Sequence, residues 1–239
     1  MFFKAIPNIF TLGNLFLGMV SIILVFEGEP QYAAIAVIVG MLLDGLDGRL
    51  ARILKVQSEF GKQLDSLSDV ISFGVAPAVI MYVVALKDMG PMGWIFAGIF
   101  PICGALRLAK FNISSGNAGY FVGLPITAAG GVLATMALYS KVFTPFWLAI
   151  GMLGLSYLMI SRIKYPNFKK VGIPKAVYWV TPLIILVVAV VAARFPNQFP
   201  KIVFLPLVLY AYYGVQSSIR LIFRKMKKYK EPAEEDIHM

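Results

Sequence analysis

The chain has 239 residues, of which 59% are hydrophobic and only 14% charged, against roughly 25% charged in soluble domains; this composition excludes an ordinary soluble globular protein. One cysteine (Cys103) and one histidine (His238) exclude an internal disulfide, a cysteine-cluster zinc site, histidine triads and His-rich metal centres. The formal net charge of +10 is divided among loops with no aromatic-interleaved basic face, which argues against a nucleic-acid partner.

A spanning helix needs about 20 mainly apolar residues, and that ruler marks about eight candidates. The first, 8–27, follows Lys4 and holds Pro7, Asn8, Thr11 and Asn14. No small-x-small cleavage site follows Val25, so it is expected to be a retained helix rather than a signal peptide. The second, 33–53, and third, 64–86, flank a short basic link. A fourth span, 91–109, ends near Arg107, Lys110 and Asn112. A fifth, 120–140, contains Gly123, Leu124 and Pro125, which are expected to bend its start. The remaining spans are 144–161, 177–193 and 200–221, with a basic loop 162–175 between the first two of these. The expected fold class is all-α, a polytopic membrane helical bundle. One integral membrane domain would run over 1–224, followed by a tail, 225–239, that changes from basic to acidic near Glu231.

Eight spans put both termini on one side. The loops on that side hold 18 of the 22 Lys and Arg residues. Positive residues favour the cytoplasmic face, so both termini and the link between the second and third helices are expected to be cytoplasmic, in a cell membrane. The basic segments, including the tail, are placed to meet anionic headgroups.

Four of the 12 acidic residues, Asp44, Asp47, Asp65 and Asp69, fall in one stretch of 26 residues. Asp44, Asp47 and Ala51 are spaced to share one helix face; Gly61, Asp65 and Asp69 are spaced to share another. An antiparallel pair of helices would bring the two acidic faces together. Four such carboxylates repel unless a cation sits among them. Oxygen-only ligands suit Mg2+, Mn2+ or Ca2+, and four negative charges suit two divalent ions, an arrangement used for phosphoryl displacement. Salt bridges to Arg49, Arg52, Lys55 or Lys62 are the structural alternative. A cation pathway, as in a transporter, is a second functional one, but it would spread carboxylates over several depths and helices. Gly45 and Gly48 leave room for a ligand near the backbone, though glycines also serve close helix packing. Arg52 is suited to a bidentate phosphate contact.

Written with its gaps, the stretch is D-x2-D-G-x2-A-R-x8-G-x3-D-x3-D, from Asp44, Asp47, Gly48, Ala51 and Arg52 through Gly61 to Asp65 and Asp69. It resembles the signature of the CDP-alcohol phosphotransferase family at every specified position. The resemblance implies an integral membrane enzyme with a six-helix catalytic core, usually a homodimer. Such an enzyme transfers a substituted phosphate from a CDP-linked donor to an alcohol and releases CMP. It further implies that Asp44, Asp47 and Asp65 are the main metal ligands. Asp69 would close the two-metal site and act as general base, and Gly48, Ala51 and Arg52 would hold the cytidine diphosphate.

Three more stretches, "PNIFTLGNLFLG", "SDVISFGVAPA" and "RLAKFN…YFVGLPITAAGG", are similar to those of the bacterial and archaeal CDP-diacylglycerol–serine phosphatidyltransferases. That similarity implies CDP-diacylglycerol, or an ether-lipid analogue, as donor and L-serine as acceptor; glycerol 3-phosphate or an inositol derivative is the alternative acceptor. By the same analogy Asn8 and Thr11 help bind the nucleotide diphosphate, although Asn8 also suits a helix N-cap. Arg107, Lys110 and Asn112 would receive the acceptor carboxylate or donor phosphates, with a topology anchor as the alternative for Lys110. Ser68 and Ser72 would line the acceptor pocket, with helix-seam packing as the alternative role for such serines. Two positions depart from the pattern: Lys110 replaces a usual Arg, and Thr127 stands where Pro is expected.

Overall fold

The computed structural model describes residues 2–113, 120–166, 194–195, 198, 200, 202–212 and 216. Helix α1 (Phe2–Phe26) shows how a membrane chain inverts the soluble pattern. Ile9, Leu12, Phe16, Met19, Ile23 and Phe26 are exposed along one stripe, while Thr11, Asn14, Ser21 and Val25 are buried on the other. Large apolar side chains cost nothing against lipid, whereas small and polar ones let helices approach closely. Helix α2 (Pro30–Ile53) begins with Pro at its first turn and buries Ala33, Ala34, Ala36, Val37 and Gly40. It packs along α1 as an antiparallel hairpin, joined by a turn in which Gly28 has φ +84°.

The α2–α3 turn is tightly specified. The Val56 amide donates to Ala51 and the Lys55 amide to Arg52, the paired bonds of a Schellman motif. Lys55 takes the left-handed position with φ 53°, where glycine is usual. The next helix, α3 (Glu59–Asp69), is capped by Ser58, whose Oγ accepts from the Gly61 amide at 3.0 Å. The turn therefore delivers α3 back against α1 within five residues.

The third rod differs from the single regular helix expected over 64–86. Immediately after Asp69 the backbone passes through a π-helical stretch, Val70–Val75, then α4 (Ala76–Met81), a second π stretch, Tyr82–Leu86, and a short 3-10 turn, Lys87–Met89. Each π stretch inserts residues relative to α-helical register, so the positions beyond Asp69 face different neighbours from those that a regular helix would meet. Gly130 makes this fit possible: a Cβ there would collide with the Phe73 carbonyl.

Helix α5 (Pro91–Ile113) runs four residues beyond the expected end. The fifth span is corrected more strongly. Residues Tyr120–Val122 form a short strand, β1, and the helix, α6, covers only Ile126–Ala137. Gly123, at φ +78°, makes the break; its amide donates to the Ile163 carbonyl at 2.8 Å, and a Cβ would strike the Met159 carbonyl. Helix α7 (Pro145–Ile160) leads to β2 (Lys164–Pro166), which pairs antiparallel with β1. This two-stranded clip is the small exception to the all-α expectation. A last described helix, α8 (Ile202–Tyr212), packs on the core through Phe204, Leu207 and Val208.

The fold is a helical membrane bundle. Three described stretches, Ala5–Phe26, Glu59–Met89 and Pro91–Ile113, are long and apolar enough to cross a membrane. Helix α2 is interrupted by its own charges, and α6, α7 and α8 are shorter. The expected span 177–193, most of the loop 162–175 and the tail 225–239 lie outside the described residues.

Gly130→Ala should lower stability by about 1–3 kcal/mol, the usual cost of overpacking, read as a lower melting temperature in detergent. Gly98→Ala, with nothing within 4 Å of the added carbon, should leave the melting temperature unchanged or raise it slightly.

Candidate active site

The turn between α2 and α3 closes one end of the bundle, and the acidic stripes meet beneath it. Asp44 and Asp47 project from α2 and Asp65 from α3; one carboxylate oxygen from each lies within 4.8 Å of the others. Asp47 is buried at 4% exposure, and Asp44 and Asp65 are half-buried. Asp69, one turn along from Asp65, is also buried and within the electrostatic field of all three. It stands outside the tight triad. Its Oδ1 is buried and has no hydrogen-bond partner among the described residues. A donor set of clustered carboxylates with no nitrogen or sulfur ligand fits a hard divalent cation, and an orphaned carboxylate oxygen beside it fits a further ligand position.

Two threonines orient the triad. Thr11 Oγ1, buried on α1, donates to Asp47 Oδ2 at 2.6 Å, with the Pro7 carbonyl at 3.2 Å as a second acceptor. Thr127 Oγ1, in the first turn of α6, donates to Asp44 Oδ2 at 3.4 Å. The sequence marks Thr127 only as a departure from a pattern; no spacing rule ties it to Asp44, 83 residues earlier. Its contact arises because Gly123 and Pro125 start α6 late, beside the end of α2.

Beside the triad is a cavity of about 480 Å³, lined by Asn8, Thr11, Asp47, Gly48, Ala51, Arg52, Gly61, Lys62 and Asp65 among others. All five residues expected at the cytidine diphosphate, Asn8, Thr11, Gly48, Ala51 and Arg52, are on its walls. The absence of a side chain at Gly48 opens the wall, and Arg52 Nη1 stands 3.8 Å from where a Cβ would be. The volume is in the range of small-molecule sites.

The expected acceptor group does not converge. Ser68 Oγ donates to the Thr11 carbonyl at 3.0 Å and Ser72 Oγ to the Asn14 carbonyl at 2.9 Å. Both serines are about 1% exposed; their hydroxyls lash the third rod to α1 rather than line a pocket. Asn112 Nδ2 donates to Ser66 Oγ at 2.9 Å, and Lys62 Nζ donates to the Asn112 carbonyl at 3.2 Å, tying the end of α5 to α3. Lys110 is exposed and is not a wall of the cavity. Arg107 alone reaches the acidic centre: its guanidinium interacts with Asp69 and lies 5.8 Å from the centroid of the Phe111 ring.

The fold and the site define a helical membrane protein with an aspartate cluster and an adjoining cavity at one end of its bundle. Residues 4–160 match the family model described as CDP-alcohol phosphatidyltransferase, and the chain belongs to that family. The chain is similar to the CDP-diacylglycerol–serine O-phosphatidyltransferase of Bacillus subtilis (strain 168), 42% identical over 165 residues, covering 69% of this chain and 92% of the relative. It is 37% identical to the enzyme of the same name from Helicobacter pylori (strain ATCC 700392 / 26695) over 239 residues, covering 92% of this chain and 95% of the relative. The archaetidylserine synthase of Methanothermobacter thermautotrophicus is 38% identical over 176 residues, covering 71% of this chain and 73% of the relative.

Thr11→Val keeps the shape of the side chain and removes the hydrogen bond to Asp47. Loss of a group that orients a ligand costs about 10–100-fold in metal affinity, to be read by Mn2+ titration of the purified protein. Thr11→Ser should restore most of the affinity.

Proposed function

We propose that the protein transfers the phosphatidyl group of CDP-diacylglycerol, or of an ether-lipid analogue, to the hydroxyl of L-serine, giving phosphatidylserine and CMP. The observation that carries this reading is the carboxylate triad opening on a cavity whose walls hold the whole expected nucleotide set. The names of the relatives support the donor and acceptor.

Asp44, Asp47 and Asp65, with Asp69, would hold two divalent cations, Mg2+ or Mn2+. Bound there, the ions would neutralise the pyrophosphate and stabilise charge gathering on the CMP leaving group. Gly48 and Ala51 allow the cytidine diphosphate to lie close to α2, and Arg52 offers its guanidinium fork to phosphate. Asn8 closes the same wall from α1. The serine oxygen bonds to the lipid-linked phosphorus as the bond from that phosphorus to the bridging oxygen breaks, and this oxygen leaves on CMP. Asp69 takes the serine hydroxyl proton; its buried Oδ1 is not committed to any described donor. Arg107 receives the serine carboxylate beside it.

The site sits at the end of the bundle, so a donor can keep its tails in the bilayer while serine and CMP exchange with water. The excess of Lys and Arg on one side supports a cytoplasmic position, in the cell membrane, for that end and both termini. Two chains would associate as a homodimer.

Purified protein given CDP-diacylglycerol and Mn2+ should release CMP with serine, and not with glycerol 3-phosphate or inositol phosphate offered separately. Release with only one of the other acceptors would overturn the choice of serine, and no metal-dependent CMP release with any acceptor would overturn the activity. Asp44→Asn and Asp69→Asn should each lower turnover by about 10²–10³-fold or more, as expected for removing one electrostatic group from a reacting centre. Both variants should stay folded, with melting temperatures at or above that of the cation-free parent because one repelling charge is gone; near-normal turnover in either variant would remove its assigned role.

A further inference from the structure

Helix α8 lies beyond residues 4–160, the stretch that matches the family model, yet its position brings it to the active site. Phe204 meets Tyr139, two residues past the end of α6, in a tilted ring contact with centroids 5.2 Å apart. Farther along, Leu207 Cδ1 lies 2.9 Å from the point where a Cβ on Gly131 would be, and Met41 Sδ lies 2.7 Å from the same point. These contacts run in opposite chain order on α6 and α8, so the two helices are antiparallel. The next turn can then be placed by helical rise. Gly131 to Thr127 is about 6 Å toward the aspartates, Met41 to Asp44 about 4.5 Å, and Leu207 to Tyr210 about 4.5 Å in the same direction. Thr127 and Asp44 touch. Tyr210 therefore reaches the depth of the carboxylates, and it is not among the residues lining the nucleotide cavity.

Arg107 is within electrostatic range of it there. The guanidinium also feels the Asp69 carboxylate, and the Phe111 ring lies 5.8 Å away. The Arg107 Nε is buried and has no hydrogen-bond partner among the described residues. A guanidinium presents five N–H donors in a rigid plane. Leaving one of them buried and unmade is costly, unless a ligand supplies the acceptor. The edge formed by Nε and one Nη is the edge that grips a carboxylate bidentately.

We propose that Tyr210 is a positioning residue of the acceptor subsite: its hydroxyl holds the Arg107 guanidinium with the Nε edge turned toward the carboxylate of the acceptor. Helix α8 is thus the last wall of the active site, and Tyr210 helps select an α-amino acid acceptor over a neutral alcohol. This rests on the proposed transfer to serine.

The test is steady-state CMP release by full-length wild type and Tyr210→Phe, varying serine and CDP-diacylglycerol separately. The ring and its packing remain in the variant; only the hydroxyl is lost. The KM for serine should rise about tenfold, the size expected for a hydrogen bond to a charged group. The kcat and the KM for CDP-diacylglycerol should stay within twofold. In an Arg107→Lys background the same change should raise the serine KM less than twofold further, because the group it positions is gone. Leu207→Ala, a packing change on the same helix, should lower the melting temperature and leave the serine KM in place. A serine KM within twofold of wild type in Tyr210→Phe, an undiminished effect in the Arg107→Lys background, or an equal KM shift in Leu207→Ala would each overturn the proposal. If wild type releases CMP only with an acceptor other than serine, the functional reading fails separately. Tyr210→Phe is then titrated with that acceptor, and an unchanged KM overturns the positioning role while a raised one supports it.

Discussion

Mutual repulsion among carboxylates governs this molecule. Two negative charges about 4.8 Å apart repel by about 3–4 kcal/mol at an effective dielectric of about 20, and three side chains lie within that distance of one another. Nothing in helix propensity offsets such a cluster. It persists because rigid elements hold its members: the Schellman turn and Ser58 cap turn the chain from α2 and set α3 against α1, and the π stretch after Asp69 fits the rod to α1 and α6. A cation taken up there relieves the strain, so stability and cation affinity oppose each other at this site.

The polar interior follows from the same constraint. Helices in lipid gain little from burying leucines, so this chain turns large apolar side chains outward and brings small or hydroxylated ones inward. The inward groups then serve two purposes. Ser68 and Ser72 lash the third rod to backbone carbonyls of α1, while Thr11, on the same helix face, uses its hydroxyl to orient Asp47. The seam that packs the bundle is continuous with the shell that aims the ligands, and damage to either is transmitted to the other.

The arrangement also divides labour around the aspartates. Helices α1, α2 and α3 form the cavity with Arg52 and Lys62 at its walls. Helices α5 and α6 bring Arg107 and Thr127 toward the aspartates from outside that cavity's lining. In the proposed transfer, the donor would enter by the cavity and the acceptor beside Arg107, the separation that an in-line displacement at phosphorus requires.

Much of this was legible in the chain alone. Charge scarcity and long apolar runs establish a helical membrane protein, and the spacing of Asp44, Asp47, Asp65 and Asp69 places two acidic faces on neighbouring helices. These are local properties: helical periodicity acts over three to eight residues, and a five-residue turn leaves few ways to pair two helices. That Gly48, Ala51 and Arg52 line one cavity was legible for the same reason, since they share the helix that carries Asp44 and Asp47. What depended on tertiary structure is longer in range. The assignment of Ser68 and Ser72 to a seam, the exposure of Lys110, the late start of α6, the contact from Thr127 to Asp44 and the reach of α8 toward Arg107 all depend on which helix packs against which. Depth and rotation in a bundle are set by the fit of small residues such as Gly130 and Gly131 against distant neighbours, and by π stretches that no local pattern announces.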